Sequence, residues 1–271
     1  MKVITIANAA GSAGKTTTTV TLAALLAQRG VRVVVIDLDG QANSTRWLGI
    51  DPDAVEATSG AVMLRTATLA DALVETNTPG VRLVPASESV YADGITLQQV
   101  TGREMRLASA LRKLDDTDVV LIDCPGTIGL MTVAALVASD EVLTVTQPTS
   151  KELEGIASLE ATIAEVVEDF DKDLELAAIV PCIVPPATSG ALYVEAVEQL
   201  REAYGDLVTP SVRRSVKAAG SYSHREPLPT FAPREGVTLD YTAVLEHLID
   251  RKSGSAGMPR PLEGSRMPSS A

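Results

Sequence analysis

The stretch AAGSAGKTTTT, residues 9–19, carries the densest chemistry in the chain. It comes close to G-x-x-x-x-G-K-[ST], the spacing of a loop that wraps phosphates, with Ala9 where the general pattern has glycine. Gly11 and Gly14 permit backbone angles and a close approach that larger residues resist. With Ser12 and Ala13 between them, the loop can turn its N–H groups toward an anion at a helix start, where the helix dipole also favours negative charge. Lys15 can reach the β and γ phosphates, and the Thr16 hydroxyl, with Thr17 beside it, suits Mg²⁺. The competing reading is a chance G-K-T at a strand-to-helix turn.

Two further acidic segments belong to the same chemistry. IDLDGQANS places Asp37 and Asp39 at the end of an aliphatic run, and VVLIDCPGTIG places Asp123 at the end of another. An open α/β sheet keeps its ligand at the carboxyl ends of its strands. Asp123 there is expected to hold Mg²⁺ through water, and Asp39 to orient the water that attacks the γ phosphate. A solvated turn would explain Asp37 and Asp39 if they stood alone.

These residues need elements to position them. Aliphatic, β-branched runs at 3–7, 31–37, 81–86, 118–123, 141–147 and 176–184 read as strands. Segments 17–28, 103–114, 152–170, 192–203 and 239–249 have apolar residues near helical spacing. Strand alternating with helix predicts βαβ crossovers and a mainly parallel, twisted sheet with helices on both faces, in a single α/β domain over 1–252. Residues 253–271, SGSAGMPRPLEGSRMPSSA, are rich in Ser, Gly and Pro and are expected to be a disordered tail.

Composition sets outer limits. Aromatic residues make up only 3%, so the core must be built from Ala, Val, Leu and Ile. The formal charge of −12 argues against the whole surface attracting nucleic acid, although a local patch escapes such an average. Residues 213–234 are such a patch, with Arg213, Arg214, Lys217, Arg225 and Arg234 against Glu226. The alternative for it is a solvated basic face beside acidic neighbours. Cys124 and Cys182 are far apart and set in aliphatic runs, which points to buried thiols in a cytoplasmic protein. No apolar run reaches membrane-spanning length.

Taken together, the segments resemble the ParA family of chromosome and plasmid partition ATPases, in the P-loop NTPase group that includes MinD. The matching stretches are ANAAGSAGKTTTT at 7–19, VVVIDLDGQANSTRWLG at 33–49, DVVLIDCPGTIGLMTVAAL at 118–136 and QPTSKELEGI at 147–156. SVRRSVKAAGSYSHREPLPTFAP at 211–233 is a weaker match. The resemblance implies that Gly11, Gly14, Lys15, Thr16 and Thr17 bind ATP and Mg²⁺ and that Asp39 positions the hydrolytic water. It implies an ATP-dependent homodimer that binds DNA without sequence preference, on the nucleoid when ATP is bound. It also implies a ParB-type centromere-binding partner that stimulates hydrolysis. Arg214 and Lys217 align with the family's basic pair for DNA, and Arg251 with Lys252 can extend that patch. With its first strand at residues 3–7, the chain resembles the short forms, in which no helix-turn-helix domain is expected.

The chain departs from the family pattern in the loop itself. The family reads K-G-G-x-G-K-[ST], and its first lysine reaches the partner subunit's phosphates; here that position is Ala10. Lys151, in PTSKELEG, is the candidate replacement, against the plainer reading of a solvated lysine at a helix start. The loss also motivates an alternative function, a non-catalytic or very slow ATP-dependent switch that binds a protein partner. A membrane-cycling protein would need an amphipathic C-terminal helix, which the Pro-containing tail lacks, and a synthetase that activates a small carboxylate would need a dedicated substrate segment. Trp47 reads as a core or interface plug, and His224 as a structural residue.

Overall fold

In the computed structural model, residues 1–9, 14–186, 188 and 191–252 are described, with 150–153, 191 and 252 as backbone only. Ala10, Gly11, Ser12, Ala13 and the tail at 253–271 lie outside the described residues.

Among the described residues, seven strands make one sheet: β1 (Lys2–Ala7), β2 (Val33–Asp37), β3 (Val74–Glu75), β4 (Val81–Val84), β5 (Val119–Asp123), β6 (Glu141–Thr146) and β7 (Glu175–Pro181). Their order is β3-β4-β2-β5-β1-β6-β7, parallel throughout except where β3 runs against β4. Every residue of β2, β5 and β6 is buried, which is why β2 and β5 read as aliphatic runs up to their terminal Asp.

Helices cover both faces: α1 (Lys15–Gln28), α2 (Asn43–Trp47), α3 (Ser59–Leu64), α4 (Leu69–Ala72), α5 (Ser89–Leu97), α6 (Arg106–Leu111), α7 (Leu130–Ala138), α8 (Ser150–Phe170), α9 (Ala191–Tyr204), α10 (Val216–His224), α11 (Leu228–Phe231) and α12 (Gly236–Lys252). Alternate residues of one strand serve different cores. Val33 and Val35 join a cluster with Leu22 and Leu26 of α1 and Leu245 of α12. Val34 and Ile36 join another with Met63 of α3, Leu136 of α7 and Leu159 of α8.

Two local features aim the sheet at a ligand. Gly14 sits at the N-cap of α1 with φ +99°, a left-handed conformation that strains other residues. A β carbon there would also lie 3.5 Å from Cys182 Cβ, so Gly14 lies directly over the end of β7. The parallel register then sets Asp37 of β2 opposite Asp123 of β5, with Ile6 of β1 on the other side of Asp123.

Sequence and structure differ at the edges. The segment at 103–114 starts with a 3-10 turn, Arg103–Met105, before α6. The run at 176–184 leaves the sheet after Pro181, although Val184 still forms a single bridge with Arg213. β3 is only two residues long and carries no aliphatic run.

Candidate nucleotide site

The first turn of α1 follows Gly14 directly, so Lys15, Thr16 and Thr17 lie where the helix's free N–H groups point outward. Lys15 is nearly buried, at 7% exposure. Thr16 Oγ1 donates to Asp123 Oδ2 at 2.8 Å, and Ser44 Oγ of α2 donates to the same oxygen at 2.6 Å. The other carboxylate oxygen, Asp123 Oδ1, is buried and has no protein hydrogen bond. Strand ends from three βα units thus converge on one carboxylate.

Asp37 is fully enclosed one strand away and accepts from Thr45 N at 2.9 Å, Thr45 Oγ1 at 2.7 Å and, through its other oxygen, Asp39 N at 3.1 Å. Burial raises the pKa of Asp37, and the neighbouring charge of Asp123 raises it further. Burial likewise raises Asp123, against the opposing pull of Ser44, Thr16 and Lys15. With no cation bound, the pair therefore favours holding a proton. The D-x-D run divides its labour: Asp37 anchors the turn, and Asp39 faces the cleft.

That cleft has a volume of about 680 Å³, with Lys15, Thr16, Asp39, Tyr91, Thr127 and Tyr222 among its walls. A second, of about 570 Å³, opens beside it around Gly14, Thr17, Ile183, Pro186 and Val212. Behind Gly14, the Thr18 hydroxyl lies 3.1 Å from Tyr241 OH and 3.8 Å from Cys182 Sγ, which ties α1 to α12 and the end of β7. Both cysteines are free and buried, as expected.

Tyr91 of α5 is a site residue that sequence reasoning passed over. Its ring lies over Gly40, where a β carbon would come within 2.6 Å of Cε2. Its hydroxyl accepts from Gln41 Nε2 at 2.8 Å and donates to Asp39 Oδ1 at 3.4 Å, while Gln41 N also donates to Asp39 Oδ1, at 3.0 Å. The only sequence signal was Gly40 between two functional residues.

The remaining expected residues fall elsewhere. Lys151 lies in the first turn of α8, where only backbone is described. Arg214 and Lys217 are exposed on the approach to α10 and in its first turn, and Arg214 also borders the second cleft. The segment is less free than the sequence suggests: Arg213 is paired with Asp240 at 2.6 Å and Lys217 itself with Glu235 at 3.3 Å. Both acids lie just beyond the segment whose charge was counted. Arg251 is distant from this group in its bonding, since it donates to the carbonyls of Ala177 and Asp206 at 2.7 and 3.1 Å.

Trp47 is indeed a plug. It is buried, its indole N–H donates to Ser221 Oγ at 3.0 Å and Glu226 O at 3.2 Å, and its ring stands edge-on to Tyr222. His224 bonds to the Gly220 carbonyl at 2.8 Å within α10. Among the described residues, no cluster of three His, Cys, Asp or Glu residues could hold a metal by itself, and no helix is long and apolar enough to cross a membrane.

Comparison with known proteins places this geometry among relatives. Residues 1–176 match the model of a family described as an AAA domain. The sporulation initiation inhibitor protein Soj of Bacillus subtilis is 33% identical over 235 residues, covering 86% of this chain and 92% of Soj. The chromosome partitioning protein ParA of Caulobacter vibrioides is 31% identical over 256 residues, covering 93% and 95%. Among solved structures, cobyrinic acid a,c-diamide synthase from Mycobacterium smegmatis, with a bound ATP analogue and magnesium, superposes with a TM-score of 0.81 at 28% identity, covering 96% of this chain and 99% of that one.

Proposed function

This chain belongs to the family of Soj- and ParA-type ATPases, and from that premise we propose that it is a slow, Mg²⁺-dependent ATPase acting in DNA partition. In this reading it pairs with a second copy when ATP is bound and holds DNA without sequence preference. A ParB-type centromere-binding partner then promotes hydrolysis and release, so the protein alternates between the nucleoid and the cytoplasm.

One observation carries the nucleotide part: Thr16 Oγ1 lies 2.8 Å from Asp123 Oδ2 at a helix start, beside a buried Asp123 Oδ1 that no protein donor satisfies. A hydroxyl and a carboxylate are the hard oxygen donors that Mg²⁺ takes. Thr16 and Asp123 would hold the ion, with Asp39 as a further oxygen donor on the cleft wall; bound there, it supplies positive charge against the phosphate oxygens. The chain's own residues do the rest. The backbone of Gly11, Ser12, Ala13 and Gly14 cradles the phosphates, and Lys15 neutralises charge on the β and γ groups. Asp39, held by Gln41 and Tyr91, orients the attacking water. The second cleft, with Ile183, Pro186 and Val212 on its walls, offers an apolar seat for the base.

Hydrolysis also needs a cation over the γ phosphate, and Ala10 supplies none. Lys151 of the second subunit fills that role in our reading. Turnover by Lys151→Ala equal to that of the unaltered protein would remove Lys151 from the mechanism. DNA is assigned to Arg214 and Lys217, with Arg251 at the margin. Ala10 also favours one second reading, an ATP-dependent switch with almost no turnover. The two are separated by ATP turnover and size-exclusion chromatography of the purified chain, with and without DNA and ATP. An ATP-dependent dimer whose turnover rises with DNA supports the partition ATPase, and tight ATP binding without turnover supports the switch.

A further inference from the structure

A further cleft, of about 770 Å³, shares no lining residue with the nucleotide cleft. It lies between α3–α4 and α6, beside the start of β4. Its rim carries Arg65, Arg82, Arg106, Arg112 and Lys113, with Asp115 as the one acidic lining residue. In a chain of net charge −12, such a concentration of cations is unexpected from composition.

The cations are not used up by neighbouring acids. Arg82 donates to the Asp116 carbonyl and the Thr117 hydroxyl at 3.0 and 2.9 Å, and Arg112 donates to Ser109 Oγ at 2.9 Å, all uncharged acceptors. Among the described residues, Arg65, Arg106 and Lys113 form no ion pair, and Arg65 and Lys113 are exposed. Two of the nearby acids are engaged elsewhere: Asp71 closes the capping box of α4 on Thr68, and Asp116 pairs with Arg32. The floor has the opposite character, with Val62, Leu69, Leu73 and Leu114.

We propose that this cleft is a docking site for an acidic amphipathic segment of a partner protein, whose apolar side chains fill the floor while its carboxylates meet the five-cation rim. The apolar floor decides against nucleic acid, whose interfaces are polar and built on phosphate contacts, and no aromatic side chain lines the cleft to stack a base. A helix or strand with one apolar side and one acidic side matches both halves of the surface at once.

Occupancy would also reach the nucleotide site. Val62 and Arg65 of the cleft sit at the end of α3 and just past it, while Ser59 at its start donates to the Asp37 carbonyl at 2.6 Å. A single short helix therefore connects the cleft to the strand end that carries Asp37 and Asp39. This coupling rests on the nucleotide assignment above, whereas docking itself does not.

The test uses the full chain and a fluorescein-labelled synthetic peptide of about 16 residues, some 24 Å as a helix, with Leu on one face and Glu on the other. Fluorescence anisotropy should report saturable binding that weakens with salt. It should fall about tenfold or more in R106E/K113E, and by a similar factor when the peptide's Glu residues become Gln. The variant should bind a fluorescent ATP analogue and melt as the unaltered protein does, which separates loss of docking from loss of fold. No binding of the acidic peptide, or equal binding by the variant, overturns the proposal. So does displacement of the peptide by random-sequence duplex DNA that persists in an R214E/K217E variant, since the DNA then occupies this cleft rather than the segment at α10. An ATP-analogue affinity unchanged by saturating peptide overturns the coupling through α3 and leaves docking standing.

Discussion

Two residues at the site make sharp demands on chemistry. Tyr91 holds Asp39 through one hydroxyl hydrogen bond, worth about 0.5–1.5 kcal/mol net. Tyr91→Phe should therefore lower kcat roughly twofold to tenfold while leaving KM for ATP nearly unchanged, since the ring still covers Gly40. Steady-state turnover reads the split, and a change in KM alone would assign Tyr91 to binding. Asp37 bears on pH. Its folded pKa is raised to about 8, so above the usual carboxylate value near 4 the unfolded chain releases a proton that the folded chain keeps. The contribution is whole below about pH 4 and declines as pH rises toward 8. Asp118, which Arg32 holds down to about 2, acts in the opposite sense and only in the acid range. Without Mg²⁺, the melting temperature should fall between pH 5 and 8 more steeply in the unaltered protein than in Asp37→Asn. Parallel melting curves across that range would remove the buried carboxylate as the cause.

At the scale of elements, the short pieces around the nucleotide cleft are held by specific pins rather than by length. α2 has five residues and cannot persist as an isolated helix. It is fixed at one end by Ser44 and Thr45 on the two buried carboxylates, and at the other by Trp47 on α10. Trp47→Ala should cost about 3–5 kcal/mol through lost packing, as read by chemical denaturation. Trp47→Phe keeps much of the packing and loses the indole donor, so about 1–2 kcal/mol is expected. Because α2 carries a donor to Asp123, the alanine variant should also bind ATP more weakly. Unaltered affinity alongside large destabilisation would show that α2 holds its place without the plug.

For the whole molecule, charge is distributed against the average. The segment before and within α10 contributes exposed Arg214 beside cations already paired with Asp240 and Glu235. Its attraction for phosphates is correspondingly smaller than a count over 213–234 implies. DNA affinity with ATP present should fall steeply between low and physiological salt, and R214E/K217E should weaken it across sequences alike. Electrophoretic mobility or anisotropy titrations at several salt concentrations measure both. Binding that ignores salt, or that survives the double reversal, would move the DNA surface off this segment. Mg²⁺ with ATP should raise the melting temperature in proportion to the logarithm of ligand concentration, which tests the nucleotide site independently of DNA.

The sequence alone determined six of the seven strands of the sheet, all but β3, with the helix after the loop and the grouping of Lys15, Thr16, Asp39 and Asp123, because buried parallel strands are written as aliphatic runs and phosphate loops as fixed spacings. It did not expose α2, α3, α4 or α11, whose few residues are too short for a helical period to emerge. α7 was hidden differently, since its nine residues are apolar all round and carry no polar face to mark the period. Tertiary structure alone decided that Asp37 turns inward while Asp39 faces the cleft, that Tyr91 reaches across some fifty positions to Asp39, and that Asp240 and Glu235 offset the basic segment. It also gathered cations from α6, β4 and the turn after α3 around one cleft. Each of these depends on residues distant along the chain becoming neighbours, and a periodic pattern records only what repeats locally.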